Sequence, residues 1–417
     1  MPIADVHFGE ENIPNAESTK FLGVVLDWKM CGKQHLKYIQ DKCEKGINIL
    51  RALSGVWWGS HPYCQKLLYN AIIRSHMDYG SFILEPCNKE ALERLDLIQA
   101  KCLRIVLGAM RSSPKNAMQV ECVEPPLALR RQYLANRFLI RAISNSNHLL
   151  IPRLQALASL VTENPYWMHK EFPKNIITYS KLNRINPILY KSGTNPIFET
   201  KFETLIYSPR IILDLGIFKN DPGANSKFKK LLEKWAGYLP VFTDASKSDP
   251  TKCVGAAVVI PKYNIVLMFK CPPESSIFTG EAVAILEAVT YADSHNITKM
   301  IIFTDSRSCL QAIVGNQFKM KTKFPLILQI KTLLRKCDLK GLKIVLGWIP
   351  GHCGIAGNES ADLWARQAIE MGSPGHDKIY SSDLLSHAQT DLFNTWQNLW
   401  DSSRLEVPSL SFHKNQN

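Results

Sequence analysis

The chain lacks any uncharged apolar run long enough to cross a bilayer. The best candidate, Cys253–Pro261, falls far short of the roughly 20 residues that a helical span needs. The opening residues, MPIADVHFGEENIPNAES, are polar and acidic, so they have neither the apolar core of a secretory signal nor the basic character of a transit peptide. An intracellular location, nucleus or cytoplasm, is therefore expected. The 11 cysteines include no CxxC pair, and their odd number and irregular spacing argue against a disulfide framework or a zinc knuckle. Internal repeats and low-complexity tracts are also missing. What is present is ordinary globular material: 417 residues, 46% hydrophobic and 21% charged, enough for two or three domains. Acid is the scarcer charge, 37 residues against 50 basic ones. The net charge of +13 favours a polyanionic partner, of which nucleic acid is the commonest.

Periodicity divides the chain into four stretches: 1–147, 148–237, 238–371 and 372–417. In the first, Lys20–Asp27 reads as a short strand, and helical spacing dominates afterwards. Ile39, Cys43, Ile47 and Leu50 share one face, as do Leu67, Leu68, Ile72 and Ile73, then Leu92, Leu95, Ile98 and Leu103, and Leu127, Leu129, Leu134, Phe138 and Ile140 add a fourth helical pattern. An all-α helical domain is expected here. Prolines at 152, 165, 173, 187, 196, 209 and 222 then predict an irregular connector without long helices. From 238 onward, strands and helices alternate. Val254–Ile260 and Ile265–Phe269 flank a Pro261–Asn264 turn, and a β-α-β pattern follows, so a mixed sheet flanked by helices is predicted. The stretch after 371 is expected to be a weak helix or a frayed tail.

Two predicted strands end alike, in Thr243-Asp244-Ala245-Ser246 and Thr304-Asp305-Ser306-Arg307. If they are neighbours in a sheet, both carboxylates face the crevice beyond the strand ends, where ligands gather. Capping of a turn or helix is the plainer explanation for either Asp alone. Glu281 opens a helix among the small residues Gly280, Ala282 and Ala284, and Asp362 sits in the first turns of another. Compensation of the helix dipole would account for both. The segment Gly351-His352-Cys353-Gly354-Ile355-Ala356-Gly357-Asn358-Glu359-Ser360-Ala361-Asp362 adds an imidazole on a glycine-rich loop. A His there is suited to proton transfer near neutrality.

TDAS, TGEAVAILEA, FTDSRS and WIPGHCGIAGNESAD, in that order, resemble the type 1 ribonuclease H family over about 238–371. The terminal GHxGxxGNExAD string is the most specific element. The resemblance implies an α+β, or α/β, fold: a mixed five-stranded sheet flanked by helices. It also implies Asp244, Glu281, Asp305 and Asp362 at a metal site, with His352 assisting turnover. Hard oxygen ligands suit two Mg2+ ions, or Mn2+ in their place. The implied activity is hydrolysis of the RNA strand of an RNA–DNA hybrid. Ser246, Thr279 and Asn358 lie beside the acidic positions as candidate backbone contacts. Lys331, Arg335 and Lys336 belong to a basic stretch suited to duplex phosphates.

FLGVVLD, SHMDYGSFIL, LDLIQAKCLRIVLGAMRSSPKNAM and PPLALRRQYL resemble, more diffusely, the region that follows the polymerase palm in non-LTR retrotransposon reverse transcriptases. This implies a thumb-like region without the palm. Its paired-aspartate motif is missing, so DNA synthesis is not expected. Tyr79, Arg104, Arg111, Lys115, Arg130, Arg131 and Arg137 are its candidate duplex contacts, and other retroelement proteins are candidate partners. The alternatives are a catalytically silent, nucleic-acid-binding retroelement remnant and, less favoured, a strand transferase of similar fold.

Overall fold

The computed structural model describes all residues except 1–5, 14–15, 56–57, 84–88, 168, 171, 194, 220, 222, 249–252, 320–323, 375–377 and 406–417. The chain forms two compact units. One comprises residues 140–148 and 185–387, and the other comprises 1–139, 149–184 and 388–417. Among the described residues, no helix is long and apolar enough to cross a membrane. All described cysteines are free thiols.

The first of these units is built on a six-stranded sheet. Its strands are β1 (Ile211–Ile212), β2 (Leu239–Lys247), β3 (Val254–Ile260), β4 (Ile265–Cys271), β5 (Lys299–Thr304) and β6 (Lys343–Trp348). Their order is β1-β6-β5-β2-β3-β4. Neighbours from β1 to β2 run parallel, and the β2-β3-β4 meander runs antiparallel. The mixed sheet is as expected from the alternating pattern, with one more strand than the five anticipated. The extra strand, β1, is two residues long and comes from the proline-rich stretch. The predicted hairpin turn at Pro261–Asn264 is present, and Asn264 takes a left-handed φ of 53°.

Strand residues alternate between two cores, as a two-residue period requires. Met300 and Ile302 enter one core with Val241, Val258 and Leu346. That core is closed by helices α2 (Ile277–Ser294), α3 (Arg307–Val314) and α4 (Pro325–Leu339). Ile301 and Phe303 enter the other core with Phe242 and Val345. Helices α1 (Ala224–Lys234) and α5 (Ala356–Met371) cover it. Its centre is aromatic: the Phe303 ring lies 4.9 Å from Phe228 and 5.5 Å from Phe242. A last helix, α6 (Ser381–Leu405), begins in this unit. Its inward residues here, Asp383 and Leu384, are buried.

The helical unit has its own core. Leu36, Ile39, Cys43, Ile47 and Leu50 from the helix Lys33–Ala52 pack with Tyr69, Ile73, Leu95, Ile98 and Leu103. Three expectations need correction. Lys20–Asp27 is not one strand; it is most of a hairpin, Ser18–Phe21 with Val24–Asp27, folded at Leu22 and Gly23, which both have positive φ. Leu67 is half exposed, because the helix starting at Pro62 changes to a π-helical turn at Tyr69–Arg74 and buries Tyr69 and Ile73 instead. Proline does not prevent a 14-residue helix, Leu150–Glu163, because Pro152 sits in its first turn, where its missing N–H has no intrahelical partner to lose. Two candidate nucleic-acid contacts are also internal. Arg130 grips Asp78 through two 2.6 Å bonds, and Arg131 is buried.

Phe303 is fully buried between Phe228 and Phe242, so Phe303→Ala is expected to cost about 3–5 kcal/mol, as large aromatic truncations in packed cores do. Urea denaturation followed by tryptophan fluorescence checks this. A loss below about 1 kcal/mol, the range of surface substitutions, would contradict the packing described.

Candidate active site

Parallel pairing of β2 with β5 ends with Thr243 opposite Thr304. The next residue in each case is an aspartate, so Asp244 and Asp305 meet where the two strands part; β5 ends there, whereas β2 runs on to Lys247 against β3, so the predicted strand end at Asp244 is corrected. Glu281 comes to them from the second turn of α2. Close approach of that helix depends on Gly280: a Cβ there would lie 2.5 Å from Val254 and 2.9 Å from Ala245. One carboxylate oxygen from each of Asp244, Glu281 and Asp305 lies within 4.8 Å of the other two. Asp244 and Glu281 are only 5% and 6% exposed.

Few donors offset this crowding. The backbone N–H of Ala245 donates to Asp244 Oδ1 at 2.7 Å and to Glu281 Oε1 at 3.3 Å. Glu281 Oε2 is buried and, among the described residues, meets no hydrogen-bond donor. Burial, then the charges of Asp305 and Asp362, push the Asp244 carboxyl up to about 7. Burial and the neighbouring Asp244 and Asp305 raise Glu281 well above the carboxylate range. Asp305 is raised mainly by burial, and His352 and the Asn358 side chain act against the rise. Three oxygen ligands with a buried orphan oxygen suit a hard divalent cation, which would supply the missing positive charge.

The other predicted residues divide into two sets. Asp362 is near enough to raise Asp244 and Asp305, but its oxygens are held by Arg366, at 3.2 and 2.6 Å. His352 Nδ1 lies 4.0 Å from Asp362, and His352, Glu359 and Asp362 form a second, more exposed group of potential ligands. The His352 backbone is left-handed, with φ 55°, and its side chain is exposed. Asn358 is buried beside Asp305, and Ser246 is half-buried on β2. The second set is engaged with other partners. Thr279 is 1% exposed, and its hydroxyl donates to Asp383. Lys331 is 2% exposed, with its ammonium on the Leu205 carbonyl at 3.2 Å. Lys336 binds Asp293 at 2.7 Å, and Arg335 approaches Glu203 at 4.0 Å. Amphipathic spacing alone cannot show that the connector helix Phe202–Ile206 covers Lys331.

Two site neighbours lie outside the residues expected from the motifs. Arg366 lies four residues after Asp362, the spacing at which helical ion pairs form, which is its signal in the sequence. Gly351 has a steric role: a Cβ there would fall 2.3 Å from Asp305 Oδ2.

Between pH 4 and 7 the folded chain keeps a proton on Asp244 that the unfolded chain has released. Stability from this group therefore falls as pH rises through that window and stays lost above it. Metal-free Asp244→Asn should melt several degrees above the parent at pH 8, with a gain on the order of 3 kcal/mol that vanishes towards pH 4. Calorimetry in chelator checks this, and a pH-independent difference would refute it.

Two comparisons with known proteins bear on this geometry. Residues 237–370 match the family model described as RNase H. Ribonuclease H1 of Rattus norvegicus is 26% identical over 125 residues, covering 27% of this chain and 41% of the rat protein. The chain thus spans less than half the length of that relative. With a mixed, helix-flanked sheet and acidic residues converging at its strand ends, residues 237–370 form an RNase H domain.

Proposed function

We propose that this chain hydrolyses the RNA strand of RNA–DNA hybrids with the aid of divalent cations, Mg2+ first and Mn2+ in its place. One observation carries the reading: three carboxylates from separate elements, two buried and one half-buried, each bring an oxygen within 4.8 Å of the others, and among the described residues no lysine or arginine is paired with them. Asp244, Glu281 and Asp305 would hold the ions, with Asp362 as a further ligand once freed from Arg366. Two bound divalent ions supply an activated water and stabilisation of the leaving 3′-oxygen. The chain's own groups do the rest. The Ala245 N–H fixes the Asp244 and Glu281 oxygens. Gly351 lets the loop pass directly over Asp305. His352, exposed and 4.0 Å from Asp362, is placed to move a proton between the site and solvent. Ser246 and Asn358 flank the carboxylates as contacts for the sugar–phosphate backbone, where the 2′-hydroxyl tells RNA from DNA. The motifs of the first 145 residues favour a retrotransposon origin for the chain, with a thumb-like helical unit.

A second reading, a remnant that binds nucleic acid without cutting, is favoured by one contact, the two-bond grip of Arg366 on Asp362.

The full chain with Mg2+ is offered a hybrid, a DNA duplex and an RNA duplex. Cleavage of the hybrid alone is expected. Chelator should abolish it, and Asp305→Asn should lower it by about a thousandfold or more, as loss of a catalytic metal ligand would. Binding without cleavage would favour the remnant. Gly351→Ala should lower hybrid cleavage by at least about tenfold, since displacing a reacting group by a fraction of an ångström is costly. Its melting temperature should fall little, because the added methyl meets a carboxylate and not the core.

A further inference from the structure

The segment after the matched region is stitched into the sheet unit at several places. Ser373 exchanges backbone bonds with β4: its N–H donates to Met268, and its carbonyl accepts from Lys270, at 3.0 and 2.9 Å. Ile379 does the same with Ile188 and Tyr190, both at 2.8 Å. His387 Nε2 meets the Glu274 carbonyl at 2.9 Å. Between these ties, Asp383 reaches the first turn of α2.

That contact is unusually complete. Asp383 is 2% exposed. Its Oδ1 accepts from Ser276 Oγ at 2.7 Å, and both its oxygens lie 2.8 Å from Thr279 Oγ1. Ser276 is the N-cap of α2, its hydroxyl accepting from the Thr279 N–H. An acidic residue in the first turn of its own helix needs no such partner, because solvent and the helix dipole satisfy it at the surface. Here the carboxylate is buried, and it is spent on another helix.

The geometry places this clasp two residues from Glu281. The first turn of α2 is fixed on one side by Asp383. On the other side, Gly280 lies against Ala245 and Val254, where no Cβ would fit. Glu281 reaches Ala245 N–H and the Asp244–Asp305 pair only while the helix keeps that seat. We infer that Asp383 is a positioning residue: through Ser276 and Thr279 it sets the height of α2 and so the place of Glu281 among the carboxylates. The inference rests on the reading of this cluster as a divalent-cation site. It makes residues 373–387 part of the functional unit, although they lie outside the matched region.

The test uses the full chain and Mn2+ alone, with free Mn2+ followed by electron paramagnetic resonance at a temperature where every variant is folded. Asp383→Ala should weaken Mn2+ binding by about 10-fold or more, the usual cost of losing a residue that orients a ligand. It should lower kcat for the hybrid with KM unchanged. Asp383→Asn, whose amide oxygen still accepts from Thr279, should recover most of the affinity. Hydrogen exchange in metal-free Asp383→Ala should quicken in the first turn of α2. Unaltered Mn2+ affinity and exchange, with only a lower melting temperature, would overturn the inference. If Asp383→Ala does not fold, Thr279→Val reads the same contact from the other side, under the same criteria. Hybrid cleavage by the parent is run alongside. A parent that binds Mn2+ but does not cut defeats the functional reading and leaves the binding isotherms to decide this one. A parent that binds no Mn2+ defeats both.

Discussion

Electrostatic repulsion among buried carboxylates is the constraint around which the sheet unit is organised. Two negative charges about 4 Å apart repel by roughly 4 kcal/mol even at an effective dielectric of 20. Asp244, Glu281 and Asp305 are held at such range in partly dry surroundings. The fold holds them there by rigid means. Parallel register fixes the two aspartates side by side, a phenylalanine cluster beneath the sheet locks that register, and a glycine lets the Glu281 helix approach. Among the described residues no lysine or arginine is paired with these three groups, and Asp244 and Glu281 keep their protons above the ordinary carboxylate range. Holding such groups together works against stability, as strain at a preformed site does.

Much of this was legible in the sequence, for identifiable reasons. Asp244 and Asp305 share a strand-end pattern, and strand ends next to parallel neighbours are where ligands collect. The small residues around Glu281 pointed to close packing, and Gly280 does fill that role. Other features depend on contacts between distant segments and leave no local signal. Thr279 and Lys331 have sequence neighbours that suggest nucleic-acid contacts. What decides their fate is Asp383 in one case and the Leu205 carbonyl in the other, each more than a hundred residues away. β1 has only two residues, too few for an alternating pattern to be read. The hairpin at Leu22–Gly23 was hidden because its two arms are both β-formers and the turn contains one ordinary-looking leucine.

Formal charge proves to be a coarse guide to surface. The excess of +13 suggests broad basic faces. Yet Arg74 binds the buried Glu124, Arg130 binds Asp78, Lys336 and Lys340 bind Asp293, and Lys331 is spent on a carbonyl. Arg130 and Lys331 in particular, both candidate nucleic-acid contacts, are engaged inside the fold. Truncating one partner of a buried pair costs far more than truncating a surface one. Charge-removal experiments at Arg130 would therefore report on folding before they report on binding.

The short strand β1 has a wider meaning than its length suggests. Ile211 and Ile212 pair with Leu346 and Gly347, and the Arg210 carbonyl accepts from the Leu346 N–H. They thereby cap the flank of β6, which would otherwise offer a free row of backbone donors and acceptors to any passing strand. A fragment excised at residue 237 would keep the acidic residues but lose this cover. The region before the domain thus covers part of the sheet's flank, at Leu346 and Gly347, which a fragment beginning at residue 237 would leave bare.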